Sequence, residues 1–250
     1  MSFTEPTAPL ATRRDRVYLI AALFVLAMAM VAEITGPKIF AFHQLVGWRP
    51  FGLELNLSAG ILCWPLVFIT TDVINHYFGK AGVLRITWVV FGFLAFTYLV
   101  LFVTTELPPA AFWLEASGRD GEGRFLDINY AYRSIFRTSL GIVIGSLIAF
   151  VVSQVVDATA YAALRKRLGP NQIGLLATLS TLVSQLVDSY LILFIAFGLL
   201  GNWSAEQIVA VGTTQFLFKF SVAVLAVPLL YLTRGAIDRY LAGERAATGS

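Results

Sequence analysis

Two copies of one polar pattern lie inside apolar runs: Ser153-Gln154-Val155-Val156-Asp157 and, 31 positions later, Ser184-Gln185-Leu186-Val187-Asp188. An ionisable side chain at such depth costs several kcal/mol in hydrocarbon by most estimates, so it faces a cavity, a partner or a transported solute. Helical spacing puts Thr181, Ser184, Gln185 and Asp188 on one stripe. Gln215 and Lys219, one turn apart, are the polar groups of a later apolar run. Thr71, Asp72, Asn75 and His76 cluster near the end of an earlier one, and Glu33 sits near the end of the first, with Lys38 just beyond. Carboxylate, amide and ammonium together can hold a polar solute. A carboxylate accepts from adjacent N–H groups, and an amide or ammonium donates to a carbonyl.

The elements that must carry these groups are membrane helices. Of the 250 residues, 58% are hydrophobic and 13% charged, a balance beyond that of soluble domains. Apolar stretches long enough to cross about 30 Å of hydrocarbon recur along the chain. Six spans are expected, at Val17 to Ile34, Leu55 to Phe78, Leu84 to Thr105, Phe136 to Leu164, Gln172 to Leu200 and Gln207 to Leu232. Basic residues fall in alternate connections: Arg13, Arg14 and Arg16; Lys80 and Arg85; Arg165, Lys166 and Arg167; Arg234, Arg239 and Arg245. That alternation makes both termini cytoplasmic. The fold expected is an all-α integral membrane protein, with residues 1–16 and 236–250 as cytoplasmic tails and 17–235 as a six-helix transmembrane domain. The first span follows arginines and precedes no small-residue cleavage site, so it reads as an anchor and not a removable signal peptide.

Turn residues set the depths. Gly169-Pro170 makes spans four and five an antiparallel hairpin, with Asp157 and Asp188 separated in depth by roughly 9 Å at the helical rise. Lys219 and Asp188 lie about equally far from the turn at Asn202 and Trp203, which brings ammonium and carboxylate to one level as a pair. A purely structural ion pair is the alternative. Asp72 comes out about level with Asp157, unless it is solvated at the interface; Glu33 either approaches from the outer half or faces the headgroups. Ser139, Gly141, Gly145 and Ser146 have the spacing of a close-packing seam. Trp64, Phe68, Phe216 and Phe220 are near enough to the polar stripe to stack on a ligand. The connection 106–132 contains a segment, 110–114, that reads as an interfacial aromatic anchor or a short amphipathic lid.

Other chemistries fit poorly. Cys63 is the single cysteine and His43 and His76 the only histidines, which offers no disulfide and no metal motif. There is no glycine-rich phosphate loop, no cofactor motif and no Ser/His constellation of an intramembrane enzyme. The net charge of +3 is accounted for by topogenic Arg and Lys without nucleic acid.

With those residues in view, the chain resembles the queuosine precursor transporter family, also described as a vitamin-uptake family. The resemblance rests on the run from Trp64 to Lys80 (WPLVFITTDVINHYFGK), on 153–157 and on 180–189, with a weaker echo at Gly36-Pro37-Lys38. It departs at His76, where the family more often has an acid, and at Glu33, where a polar amide is common. The resemblance implies uptake of 7-cyano- or 7-aminomethyl-7-deazaguanine across a bacterial inner membrane for tRNA modification. On that reading Asp188 or Asp157 takes the amidine edge of the base and Gln185, Gln154 or Gln215 its carbonyl. Lys219 holds the unliganded carboxylate, and Ser184, Asp72, Asn75 and Glu33 complete the site. The partners expected are a purine-like small molecule and membrane lipid, with a homodimer left open. A substrate-binding membrane subunit for a vitamin-like solute, energised by a separate ATPase, is the alternative function.

Overall fold

The computed structural model describes residues 12–47, 56–119, 122–123, 125–137 and 140–248. Helix α1 (Arg13–Thr35) opens on a capping box in which Thr12 Oγ1 accepts from Asp15 N at 3.1 Å and the Asp15 carboxylate accepts from Thr12 N in return. Two free amide donors are satisfied at once, which fixes where the helix begins. A two-stranded antiparallel ribbon of β1 (Ile39–Ala41) and β2 (Asn56–Ser58) follows, with short helix α2 (Phe42–Val46) between.

Helix α3 (Trp64–Glu106) starts at Trp64 and not at the expected Leu55, because Ser58 caps a 3₁₀ turn over Ala59–Leu62 and Pro65 can occupy only a first helical turn. Leu55 itself lies outside the described residues. Gly79, at φ 69° and ψ −178°, breaks this helix into limbs 64–78 and 80–106. Two contacts show that the chain reverses there. Arg14, at the start of α1, reaches the carbonyl of Tyr77 at 2.6 Å, and Tyr18 reaches that of Gly82 at 3.0 Å. Further out, Gly60 lies against the backbone of Ala32, while Tyr98 bonds Glu33. The first limb is therefore antiparallel to α1 and the second parallel to it.

Helices α4 (Ala111–Ser117) and α5 (Ile128–Phe136) form the long connection. In α4, Phe112 is exposed, and Trp113 meets Tyr132 of α5 edge-on, 6.3 Å between ring centroids. The arginines of this end, Arg133 and Arg137, bridge Glu106. Helix α6 (Leu140–Leu168) returns along the bundle and ends at Gly169, whose φ of 83° suits a residue without Cβ. Helix α7 (Ile173–Leu193) runs back beside it and finishes in a π-helical turn, Phe194–Leu199. Gly141 and Gly145 of α6 lie close against the Ala196 and Ile192 carbonyls, the approach that small residues permit. Helix α8 (Ala205–Leu225) opens on a second capping box, Ser204 with Gln207. The sixth expected span does not run on to Leu232. It stops at Ala226, and Pro228, which has no N–H to donate, lies in the first turn of α9 (Val227–Thr248). Residue 236, where the sequence puts the start of a tail, falls within α9.

The molecule is an all-α membrane protein. Among the described residues five helices are long and apolar enough to cross a bilayer: Arg13–Thr35, Trp64–Glu106, α6 (Leu140–Leu168), Ile173–Leu199 and Ala205–Leu225. Large apolar side chains such as Ile20, Trp88, Phe96 and Leu217 point outward and are exposed, as contact with lipid requires. The interior holds two apolar clusters, one around Val25, Val67 and Val90, the other around Tyr161, Ile173 and Leu230. At one end of the bundle, Arg13 reaches the carbonyl of Tyr240 at 2.6 Å and Arg165 that of His76 at 2.7 Å, while Arg234 pairs with Asp238.

The reversal at Gly79 depends on a backbone conformation that residues with a Cβ rarely reach, at a cost of about 1–3 kcal/mol. Gly79→Ala should lower the thermal midpoint in detergent measurably. Gly92→Ala, in mid-helix with open space at its Cβ position, should lower it little or not at all. Equal midpoints for the two variants would show that the turn does not need glycine.

Candidate functional site

The polar side chains gather in two layers stacked along the bundle. In the first, Asp157 of α6 accepts a hydrogen bond from Ser184 of α7 at 3.0 Å. Asp72, on the first limb of α3, is buried and within electrostatic reach of Asp157; it is not a solvated interfacial residue. Ser153 and Ser180 turn their hydroxyls onto carbonyls of their own helices, at Phe150 and Ala177. Beside them are buried groups with no hydrogen-bond partner: Asp72 Oδ1, Asn75 Nδ2, Gln154 Oε1, both polar atoms of the Gln185 amide, and Ser189 Oγ. Asn75 and Gln185 are each 1% exposed and Gln154 3%. Buried polar groups are nearly always bonded, so this concentration calls for an explanation.

The second layer lies about one helical turn further along α7. Asp188 Oδ2 and Lys219 Nζ of α8 are 2.7 Å apart, joining the two helices at the level that counting from the turn at 202–203 requires. Tyr190 and Thr213 make a second link between the same helices at 2.7 Å. Glu33 of α1 turns inward and not to the headgroups. Its Oε2 accepts from the Tyr98 hydroxyl and lies 3.4 Å from Ser146 Oγ, and its charge acts on both Asp188 and Lys219. Gln215 is half-buried on α8, one turn from Lys219. The two acids of the repeated pentapeptide thus have different partners, serine hydroxyls of α7 for Asp157 and an ammonium for Asp188.

Aromatic side chains flank these layers. Trp64 and Phe68 are stacked with centroids 5.9 Å apart, and Phe216 and Phe220 with centroids 6.0 Å apart. Phe68, Asp72 and Thr181 border a cavity of about 20 Å³ that Ala226 and Leu230 also line. That is room for about one water. His76 stands at the arginine-rich end, 3.3 Å from the Tyr161 hydroxyl.

Sequence reasoning passed over Tyr98 and took Ser146 for packing alone. Tyr98 had a signal: a phenol in mid-span needs a partner for its hydroxyl. Ser146 had none, since its neighbours Gly141 and Gly145 do pack as a seam. Ser139, of the same seam, lies outside the described residues.

Apolar helices enclosing layers of carboxylate, amide and ammonium make this a multi-pass membrane protein with a polar interior. Residues 58–233 match the family model described as "Putative vitamin uptake transporter", and the chain belongs to that family. It is 28% identical to a Bacillus subtilis (strain 168) protein named "Probable queuosine precursor transporter", over 75% of each chain. No solved structure matches.

Removing one partner of a largely buried ion pair leaves the other uncompensated, at a cost on the order of 3 kcal/mol. Asp188→Asn and Lys219→Met should each lower the unfolding midpoint in detergent, and the double variant should lose less than the sum of the two. Strict additivity in that double-mutant cycle would show that the pair is uncoupled.

Proposed function

We propose that this protein is an importer of a 7-deazaguanine base, 7-cyano- or 7-aminomethyl-7-deazaguanine, across the bacterial inner membrane, supplying a queuosine precursor. The observation that carries this reading is the set of unpartnered polar atoms at Asp72, Asn75, Gln154 and Gln185. A guanine-like edge offers an N1–H and an exocyclic amine, which Asp72 Oδ1 and a glutamine carbonyl can accept. Its own carbonyl can take an N–H from Asn75 or Gln185. The base would therefore supply what these side chains lack. The name of the Bacillus subtilis relative points to the same solute class.

In this reading Asp157 and Ser184 border the base, and the neighbouring Trp64 and Phe68 offer it an aromatic face. Asp188 stays with Lys219 until the helices part, and Gln215 enters the site from α8. The 20 Å³ cavity is far smaller than a bicyclic base, so loading requires helix movement, as alternating access does. Helix α8, tied to α7 by Lys219–Asp188 and Thr213–Tyr190, is the element best placed to move.

Six crossings follow if α1, the two limbs of α3, α6, α7 and α8 each traverse the bilayer, with residues 17–235 as the transport unit. Gathering Arg13, Arg14, Arg165 and Arg234 at the end that also holds Tyr240 favours a cytoplasmic location for both termini.

Detergent-solubilised protein should bind 7-cyano-7-deazaguanine in a calorimetric titration. Gln185→Leu and Asp72→Asn should each weaken binding about tenfold or more, the worth of one or two buried hydrogen bonds. The purified protein alone in liposomes should move the base. Undiminished affinity in both variants would remove the recognition site, and uptake that needs an added ATPase would make the chain a binding subunit.

A further inference from the structure

The layer around Glu33 has a chemistry that base recognition does not use. Glu33 is contributed by α1, Tyr98 by the second limb of α3, Ser146 by α6, Asp188 by α7 and Lys219 by α8, so five crossing segments meet here. Two carboxylates face one ammonium. The ammonium is taken by Asp188 at 2.7 Å, and no described cation bridges Glu33. Fully ionised, the layer would carry one negative charge in excess.

The hydrogen bonding around Glu33 is one-sided. Tyr98 and Ser146 both address Oε2, and no described group donates to Oε1. Glu33 is half-buried and lies two residues before the end of α1, at the end of the bundle away from the arginine-rich surface. Oε1 is the oxygen left to take a proton, and the resulting acid is neutral with its other oxygen already held. Gln185, whose amide has no partner, and Ser184 lie within one turn of Asp188 on α7, so this layer abuts the groups proposed to hold the base.

We propose that Glu33 carries the coupling proton of transport. Moving an unbalanced charge between the two sides of a hydrocarbon barrier is costly, whereas a neutral layer made of Glu33–H and a Lys219–Asp188 pair reorients at lower cost. With the base bound, the protein therefore changes its open side with Glu33 protonated; the emptied protein returns with Glu33 ionised and its charge shared with Asp188 across Lys219, so the proton is not carried back. On the inner side Glu33 releases the proton, and its restored charge competes with Asp188 for Lys219. That loosens the link between α7 and α8 and lets the base leave. One proton enters with each base. Glu33 lies outside the residues 58–233 that match the family model. The inference rests on the proposed import of a 7-deazaguanine base.

The test uses the full chain in liposomes with labelled 7-cyano-7-deazaguanine. Exchange across vesicles preloaded with the unlabelled base, with no ion gradient, reports transport itself. Accumulation under an imposed pH gradient, acid outside, reports coupling. The wild type should exchange, and for one proton per base it should accumulate up to about tenfold per pH unit. In Glu33→Gln the accumulation, normalised to exchange in the same vesicles, should fall to the gradient-free level. Tyr98→Phe, which removes a donor from the carboxylate, should shift the pH profile of driven uptake, and it decides the matter if Glu33→Gln shows no exchange. Gradient-driven accumulation surviving in Glu33→Gln, an unmoved profile in Tyr98→Phe, or wild-type accumulation that follows a sodium gradient instead would each overturn the proposal while leaving import intact. Absence of wild-type exchange would overturn the import reading and the proton site with it.

Discussion

The ion pair between Asp188 and Lys219 is the contact around which the interior is arranged. Helix α8 packs along α7 with little else behind it, and its apolar side chains at Leu217, Val224 and Leu225 face outward. Among lipid tails those side chains gain almost nothing by choosing one neighbour over another, so helix association must come from close packing and polar contacts. The 2.7 Å pair and the Tyr190–Thr213 hydrogen bond supply the polar part. Gly212 against the ring of Tyr190 supplies the close packing. With Asp188 facing α8, the same helix turns Ser184 onto Asp157 of α6 and buries Thr181 and Gln185.

Polar residues divide the helices into different jobs. On α6, Ser153 spends its hydroxyl on its own backbone, which leaves Asp157 to be met from across the interface by Ser184. On α7, Ser180 lies between its own backbone carbonyl at Ala177 and Asp157, and Gln185 remains with neither amide atom bonded. A rigid structural core would not keep such groups, because each costs its full desolvation when no partner arrives. An interior that must accept and release a polar solute keeps them.

Much of this was legible from residue types and spacing. The i, i+3 and i+4 intervals put the α7 stripe on one face, and distance from the turn at 202–203 matched Lys219 to Asp188 before any coordinate was needed. Spacing also put Asp72 about level with Asp157, with a solvated place at the interface as the alternative that its burial removes. What spacing could not supply was rotation about the helix axis. Glu33 near a helix end can face lipid headgroups or the bundle with equal economy of sequence. Only the phenol of Tyr98, brought alongside by the reversal at Gly79, decides it. The helix ends escaped for a related reason. Hydropathy is continuous through 55–63 and 226–232, whereas the breaks come from backbone chemistry at Pro65 and Pro228, which an average over a window does not register.

The reversal at Gly79 also explains why a polar site can exist at the centre of so apolar a chain. Residues 64–78 make only about four helical turns at 3.6 residues each, a limb shorter than α6 or α7. It begins after the ribbon and 3₁₀ turn at one end, with His76 and Tyr77 against the arginines at the other. Asp72 and Asn75 therefore lie within two turns of the arginine-rich end, both buried, and Asp72 comes within electrostatic reach of Asp157. A straight, full-length helix through this position would carry those side chains past the level of the α6 and α7 pentapeptides. Shortening one limb, and turning it with a single glycine, brings the carboxylate of Asp72 to the level of Asp157 and Ser184, so that three helices contribute to one polar layer.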